Sequence, residues 1–235
     1  MKILITNDDS IQARGLWELV RLAKKYGEVK VLAPRYEQSG KSHSLNLSGG
    51  LKLERYEAGE VEAFSLDSTP ADCVRAALFG LRWDFDIVFS GINRGLNLGE
   101  DIFYSGTCAA ATEAALLGKK GIAFSSSWHS FDGIISEFDR IMDFILAEGL
   151  LEKGNLYNVN APERIEGIKL TFQGNNHYET HFILNQDCFY QKGVSHRERE
   201  KAVGSDVWAV YNNFVSITPM NYDRTDREIL RKLKS

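Results

Sequence analysis

Adjacent carboxylates, Asp8 and Asp9, follow Asn7 directly behind the apolar run Ile3-Leu4-Ile5. Neighbouring carboxylates repel each other, and a divalent cation of the magnesium or manganese kind, which prefers oxygen ligands, offsets that repulsion. Helix capping by Asp9 or Ser10 is the structural alternative. The glycine-rich segment Ser90–Gly99, which reads as a loop, adds Asn93 and Asn97, whose amides offer neutral oxygens to a metal or N–H donors to phosphate oxygens. Then Tyr104-Ser105-Gly106-Thr107 opens an alanine-rich stretch. Unpaired N–H groups at such a helix start, flanked by small residues, form an anion site, while capping by Ser105 or Thr107 accounts for the same residues without a ligand.

Several motifs are close to known fingerprints and fail them. Gly40-Lys41-Ser42 looks like the end of a phosphate-binding P-loop, yet that motif needs glycine at position 35, which is Arg35. The same stretch, Gly40-Lys41-Ser42-His43-Ser44, lacks the second glycine of a nucleophile elbow. In Ser90–Gly99 the glycines recur at every fourth position, which is not the dinucleotide spacing and argues against a nicotinamide enzyme.

The elements that must carry these segments alternate in type. Lys2–Thr6, Val29–Ala33, Asp86–Phe89, Gly121–Ser125 and Leu156–Val159 read as short buried strands. Between them, Leu16–Tyr26 has Leu16, Leu19, Val20 and Ala23 on one helical face and ends at Gly27. Thr69 caps a second helix, with Pro70 at its first position and Asp72 near its positive end, running to about Gly80. Further helices are expected over Thr107–Leu117 and Ile134–Ala147. This alternation predicts a doubly wound, mostly parallel α/β sheet over residues 1–173. Residues 174–235 read as an irregular arm or hairpin, a last strand at Phe214–Thr218 and a charged helix near Asp226–Lys234, suited to oligomerisation.

With 43% hydrophobic and 26% charged residues, the 235-residue chain has the balance of a soluble globular protein. A net charge of −4 disfavours long nucleic acid and leaves small phosphorylated ligands open. The N-terminal apolar run is too short for a signal peptide and charges interrupt the others, so a cytoplasmic location is expected. Cys73, Cys108 and Cys188 are widely spaced with no Cys-x-x-Cys, and are expected as buried free thiols.

Asn7-Asp8-Asp9, Ser39-Gly40 with Ser42 and His43, Thr69-Pro70-Ala71-Asp72-Cys73, Ser90-Gly91-Ile92-Asn93 and Tyr104-Ser105-Gly106-Thr107 occur together in an order that resembles the SurE survival-protein family over nearly the whole chain. Asn158–Pro162 and Val215–Pro219 are similar to that family's later strands. The resemblance implies a nucleotide phosphomonoesterase with one divalent metal, magnesium or manganese, acting on nucleoside monophosphates and in some members on short polyphosphate. By position it implies Asp8, Asp9, Ser39 and Asn93 as metal ligands, and Asn97, Ser105, Gly106 and Thr107 as phosphate-binding residues. It also implies a homodimer or homotetramer with exchanged C-terminal segments. The chain departs from the family's usual glycines at Ser10 and Ser68 and from its proline at Leu96, which affects loop geometry but removes no ligand.

Hydrolysis by an in-line water, with Asp8 or Asp9 orienting or deprotonating it, is the expected route. A covalent intermediate on Asp8 remains chemically open. The rival reading is a receiver-like phospho-signalling module, which also pairs aspartates after its first strand. It requires an acceptor aspartate ending a central strand, where this chain has Ser90-Gly91.

Overall fold

The computed structural model describes residues 1–234. Its centre is a nine-stranded sheet in the order β3-β4-β2-β1-β5-β6-β7-β11-β8. The strands are β1 (Lys2–Thr6), β2 (Glu28–Pro34), β3 (Leu53–Arg55), β4 (Glu62–Leu66), β5 (Ile87–Arg94), β6 (Lys120–Ser126), β7 (Leu156–Ala161), β8 (Gly167–Leu170) and β11 (Phe214–Pro219). Strands β4, β2, β1, β5, β6 and β7 pair in parallel, while β3 against β4 and β11 against β7 are antiparallel. The expected doubly wound sheet is therefore present. Strand β11, grouped with the arm in the sequence, is inserted into this sheet between β7 and β8.

Helices cover both faces. On one side α1 (Arg14–Ala23) and α4 (Asp132–Ala147), the latter followed by the short α5 (Leu150–Lys153), bury Leu16, Leu19, Phe138 and Ile141 against Ile5, Phe89 and Phe124 of the sheet. Each such fully buried side chain contributes roughly 1.5–3 kcal/mol. On the other side α2 (Pro70–Arg75) and α3 (Gly106–Leu116) set Cys73, Val74, Ala110 and Ala114 on Leu4, Leu32 and Val88. The alanines of α3 let it lie close: a Cβ on Gly121 of β6 would come within 2.1 Å of the Ala111 carbonyl oxygen. Thr69 caps α2 as expected, accepting from Asp72 N–H, and the chain leaves α2 through one wide π-turn at Ala76–Gly80.

The ordering of strands creates the site. Strand β1 has β2 on one side and β5 on the other, so the chain winds away in opposite directions and leaves a crevice beyond the carboxyl ends of β1 and β5. Both Asp8-Asp9 and the segment after Asn93 emerge there.

Sequence and structure differ at several places. Ser90–Arg94 is not loop but the second half of β5, whose register against β6 shifts between Ser90 and Asn93. Gly91 makes that bulge feasible: it has φ +135°, and a Cβ there would lie 2.2 Å from the Phe124 carbonyl oxygen. Cys73 and Cys108 are buried as expected, but Cys188 is exposed on the arm. The arm is an antiparallel hairpin, β9 (Tyr178–Asn185) with β10 (Cys188–Ser195), followed by α6 (Asp206–Tyr211), and after β11 the described chain ends in α7 (Arg227–Lys234). Among the described residues no helix is long and apolar enough to cross a membrane.

A buried polar junction roots the arm. The Asp206 carboxylate accepts backbone N–H bonds from Gly99 (3.0 Å), Gly174 (2.7 Å) and Val207 (2.8 Å). Beside it the Asn176 amide donates to the Leu98 carbonyl (2.5 Å) and to Asp101 (2.6 Å), while Arg197 Nε donates to Asn176 Oδ1 (3.2 Å). Segments distant in sequence are thus joined to the stretch that carries Asn97 and Ser105.

Candidate active site

Asp8 is buried at the end of β1, and the N-terminus of α3 is aimed at it. The Thr107 hydroxyl donates to Asp8 Oδ1 at 2.5 Å. Gly106 has no room for a side chain, since a Cβ would lie 2.8 Å from Asp8 Cβ and 3.0 Å from its Oδ2. Burial pushes the Asp8 carboxyl up from the usual carboxylate range, opposed by the Thr107 hydroxyl and the N–H groups of Thr107 and Gly106. Asp9 is half-buried, with Oδ2 accepting from Arg94 N–H at 3.1 Å. Burial first, then the neighbouring Asp8 charge, push its carboxyl up to about 6.

A cleft of about 670 Å³ opens beside Asp8 and is lined by Asp8, Ser39, Asn93, Asn97 and Ser105 among others, with Asp9 behind that lining. That volume is within the range of small-ligand sites. Asn93 donates its amide N–H to the Gly95 carbonyl at 2.8 Å, which leaves its oxygen as the free end of the side chain. Ser39 is exposed, and its hydroxyl donates to Glu37 at 2.8 Å. The loop bearing Ser39 is pinned by Gln38 N–H to the Asp8 carbonyl (2.7 Å) and by Ser42 N–H to the Tyr104 carbonyl (3.1 Å).

Asn97 is held more firmly than the sequence implies. Its N–H donates to Asn160 Oδ1 (2.8 Å), its carbonyl accepts from Asn158 (2.8 Å) and Asn160 (3.1 Å), and its amide donates to Ser125 (2.8 Å). These three clamps at the ends of β6 and β7 carry no motif of their own. The Asn-x-Asn spacing at 158 and 160 puts both amides on one face of a strand, and that is the signal from which they could have been found.

Of the residues expected around phosphate, Asn97 and Ser105 line the cleft, whereas Gly106 and Thr107 sit behind Asp8. The physical reason is that the first N–H groups of α3 and the Thr107 proton are already directed to a buried carboxylate. Ser105 caps α3, accepting from Cys108 N–H at 3.1 Å and keeping its own proton to donate. His43 bonds Glu113 at 2.7 Å, and Glu113 also takes Arg75 at 2.9 Å, so this histidine belongs to a hydrogen-bonded cluster around Glu113 of α3.

The donor set fits a divalent metal. Two adjacent carboxylates, one raised by the other's charge, lie with the Asn93 amide oxygen and a serine hydroxyl, all hard oxygen donors. Among the described residues no three His, Cys, Asp or Glu side chains converge as a ligand group. A cation here would be held by two charges and neutral oxygens, which leaves coordination positions for substrate.

The family model described as survival protein SurE matches residues 3–180. The chain belongs to the SurE family. It is 38% identical over 250 residues to a 5′-nucleotidase SurE from Thermoanaerobacter sp. (strain X514), covering 100% of this chain and 98% of the relative. A 5′-nucleotidase SurE from Vibrio cholerae El Tor is 35% identical over 243 residues, covering 99% and 96% respectively. The crystal structure of the SurE protein from Aquifex aeolicus superposes with a TM-score of 0.82 at 33% identity, covering 100% of this chain and 98% of that one. The receiver-like alternative lacks its acceptor: Ser90 stands at the relevant strand position, and Asp86 lies at the opposite end of the sheet, accepting from Lys2 N–H.

Proposed function

We propose that the chain is a divalent-metal-dependent 5′-nucleotidase that hydrolyses nucleoside monophosphates to nucleoside and phosphate. One observation carries the metal dependence. Asp8 and Asp9 stand beside the cleft that must receive a phosphate dianion, and that arrangement is repulsive until a cation lies between them. When bound at Asp8, Asp9, Ser39 and Asn93, the cation supplies Lewis-acid polarisation of a phosphoryl oxygen.

The chain's own residues do the rest. Ser105 donates its free hydroxyl proton to a non-bridging oxygen, and Asn97 offers the second proton of an amide whose first is given to Ser125. Because Asn97 is held at its backbone by Asn158 and Asn160, this donor is preorganised. Asp8 or Asp9 would orient and deprotonate an in-line water through an oxygen not turned to the cation. The proposal covers 3′-nucleotides and short polyphosphate, since Ser105 and Asn97 would grip a phosphoryl group common to all.

The proposal extends to a homodimer or homotetramer in the cytoplasm. Phe182, Leu184, Phe189 and Tyr190 are all more than half exposed on the hairpin, an apolar surface that a second copy would cover. The decisive experiment measures phosphate release from a panel of nucleotides with manganese, magnesium or chelator. Turnover that falls at least 100-fold in chelator is expected, and turnover unaffected by chelator would overturn the metal-dependent reading.

A further inference from the structure

Trp128 is 65% exposed, yet it is not a loose surface side chain. Its ring is backed by the strand that carries the site: the Arg94 guanidinium lies 5.8 Å from the ring centroid, and Arg94 Nε donates to the Trp128 carbonyl at 3.2 Å. Gly95 lies beside the ring, where a Cβ would be in ordinary contact with Trp128 Cε3 at 3.4 Å. The turn bearing Trp128 is pinned as well. Ser126 Oγ donates to the Ser130 carbonyl at 2.9 Å, and Ser127 Oγ donates to Glu163 at 2.8 Å. The indole lines the same cleft as Asp8, Asn93, Asn97 and Ser105.

An exposed indole gains free energy when an aromatic ring covers its face, and here it is held in place along the cleft that contains Ser105 and Asn97. We infer that the indole of Trp128 is the platform on which the substrate's nucleobase stacks; this rests on the nucleotidase reading above. The occupant is a purine or pyrimidine base joined through ribose to the phosphate gripped deeper in the cleft. Every base has a π-face, so stacking tolerates any base, and the larger purine overlaps the indole more. The backing by Arg94 and Gly95 means that little ordering is required on binding. Trp128 is thereby a specificity residue that separates nucleotides from other phosphomonoesters, and it takes no part in the chemical step.

The test uses the full chain loaded with manganese, AMP as substrate and glycerol 2-phosphate as a phosphomonoester without a base. Loss of one stacked base corresponds to roughly a tenfold or larger effect. Trp128→Leu should therefore raise KM for AMP about tenfold with kcat nearly unchanged, leave kcat/KM for glycerol 2-phosphate intact, and be largely rescued by Trp128→Phe. AMP should quench the indole fluorescence of the wild-type protein, and Trp128→Leu should lose that quenching although it keeps the other three of the four tryptophans. Equal losses with both substrates, or an unchanged KM for AMP, would overturn the platform. A wild-type protein that releases phosphate from glycerol 2-phosphate but not from AMP would instead overturn the nucleotidase reading and the platform with it.

Discussion

The hydroxyl of Thr107, at the first turn of α3, donates to Oδ1 of Asp8 at the end of β1, a 2.5 Å contact between residues 99 positions apart. The contact makes Thr107 a positioning residue for a carboxylate. Thr107→Val should remove a charge-assisted bond of roughly 1.5–3 kcal/mol from a buried anion, lowering stability at neutral pH and activity together. Thr107→Ser keeps the donor and should recover most of both. Thermal unfolding and steady-state kinetics on the two variants decide it; activity lost in Val with full stability would favour direct contact with phosphate.

Asp8→Asn removes a buried charge that nothing neutralises when the cation is absent. In chelator the variant should be at least as stable as wild type, because burial disfavours the ionised form it lacks. Manganese should raise the Tm of wild type and not of the variant, whose turnover should fall at least 100-fold. A manganese-induced Tm shift retained in Asp8→Asn would falsify its place in the metal site.

Asp9 predicts a pH signature. Its carboxyl is raised to about 6 in the fold, against about 3.9 unfolded, so the folded state binds more protons between those values. Its contribution to stability therefore declines as pH rises from about 4 to 6 and is at its lowest above that. In chelator, the Tm advantage of Asp9→Asn over wild type should grow across this window. Manganese should flatten it by favouring the carboxylate, and scans of both proteins from pH 4 to 7.5 would show a constant difference if the idea is wrong.

Ser10, where the family usually has glycine, adopts φ 96°, a region that costs an L-residue of order 1–3 kcal/mol. Ser10→Gly should relieve that strain, less the extra entropy glycine brings to the unfolded chain. A net gain of about 1 kcal/mol, or roughly 2–4 °C in Tm for a chain of this size, is expected by calorimetry.

Replacing the hairpin Tyr178–Ser195 with a short Gly-Ser link should leave a folded core of lower oligomeric mass, because Tyr178 and Ser195 are paired neighbours where the hairpin begins and ends. Light scattering on both proteins tests this. A wild-type monomer would remove the reason for the exposed Phe182 and Phe189.

Strand β1, which ends just before Asp8, and the first half of β5 were legible because they are short apolar runs that end in polar residues, the mark of a buried parallel strand. Helix α2 was legible through its cap, Thr69-Pro70, whose chemistry is local. What escaped the sequence depends on distant pairing. Ser90–Arg94 contains glycine yet is strand, since Gly91 is required by the Phe124 carbonyl of the neighbouring strand. Strands β3 and β4 are short and lie towards one edge of the sheet, where burial is partial and periodicity weak. That Thr107 would meet Asp8 was not legible either, since nothing local in the sequence pairs the start of α3 with the end of β1. Nor does it show that Asn176, Arg197 and Asp206, each in a polar stretch, meet at one point.

That meeting point makes the arm an interchangeable cassette. Gly174 and Asp206 are tied to each other at the Asp206 carboxylate, and Asp206 N–H donates to the Phe172 carbonyl at 2.8 Å, so the two ends of the segment already touch. Closing a loop between fixed ends becomes only slightly more costly as it lengthens, about 0.6 kcal/mol per doubling. Beyond the paired Tyr178 and Ser195, residues 179–194 can thus grow, shrink or acquire a new tip across evolution while the sheet and the Asn176–Arg197 junction stay as they are.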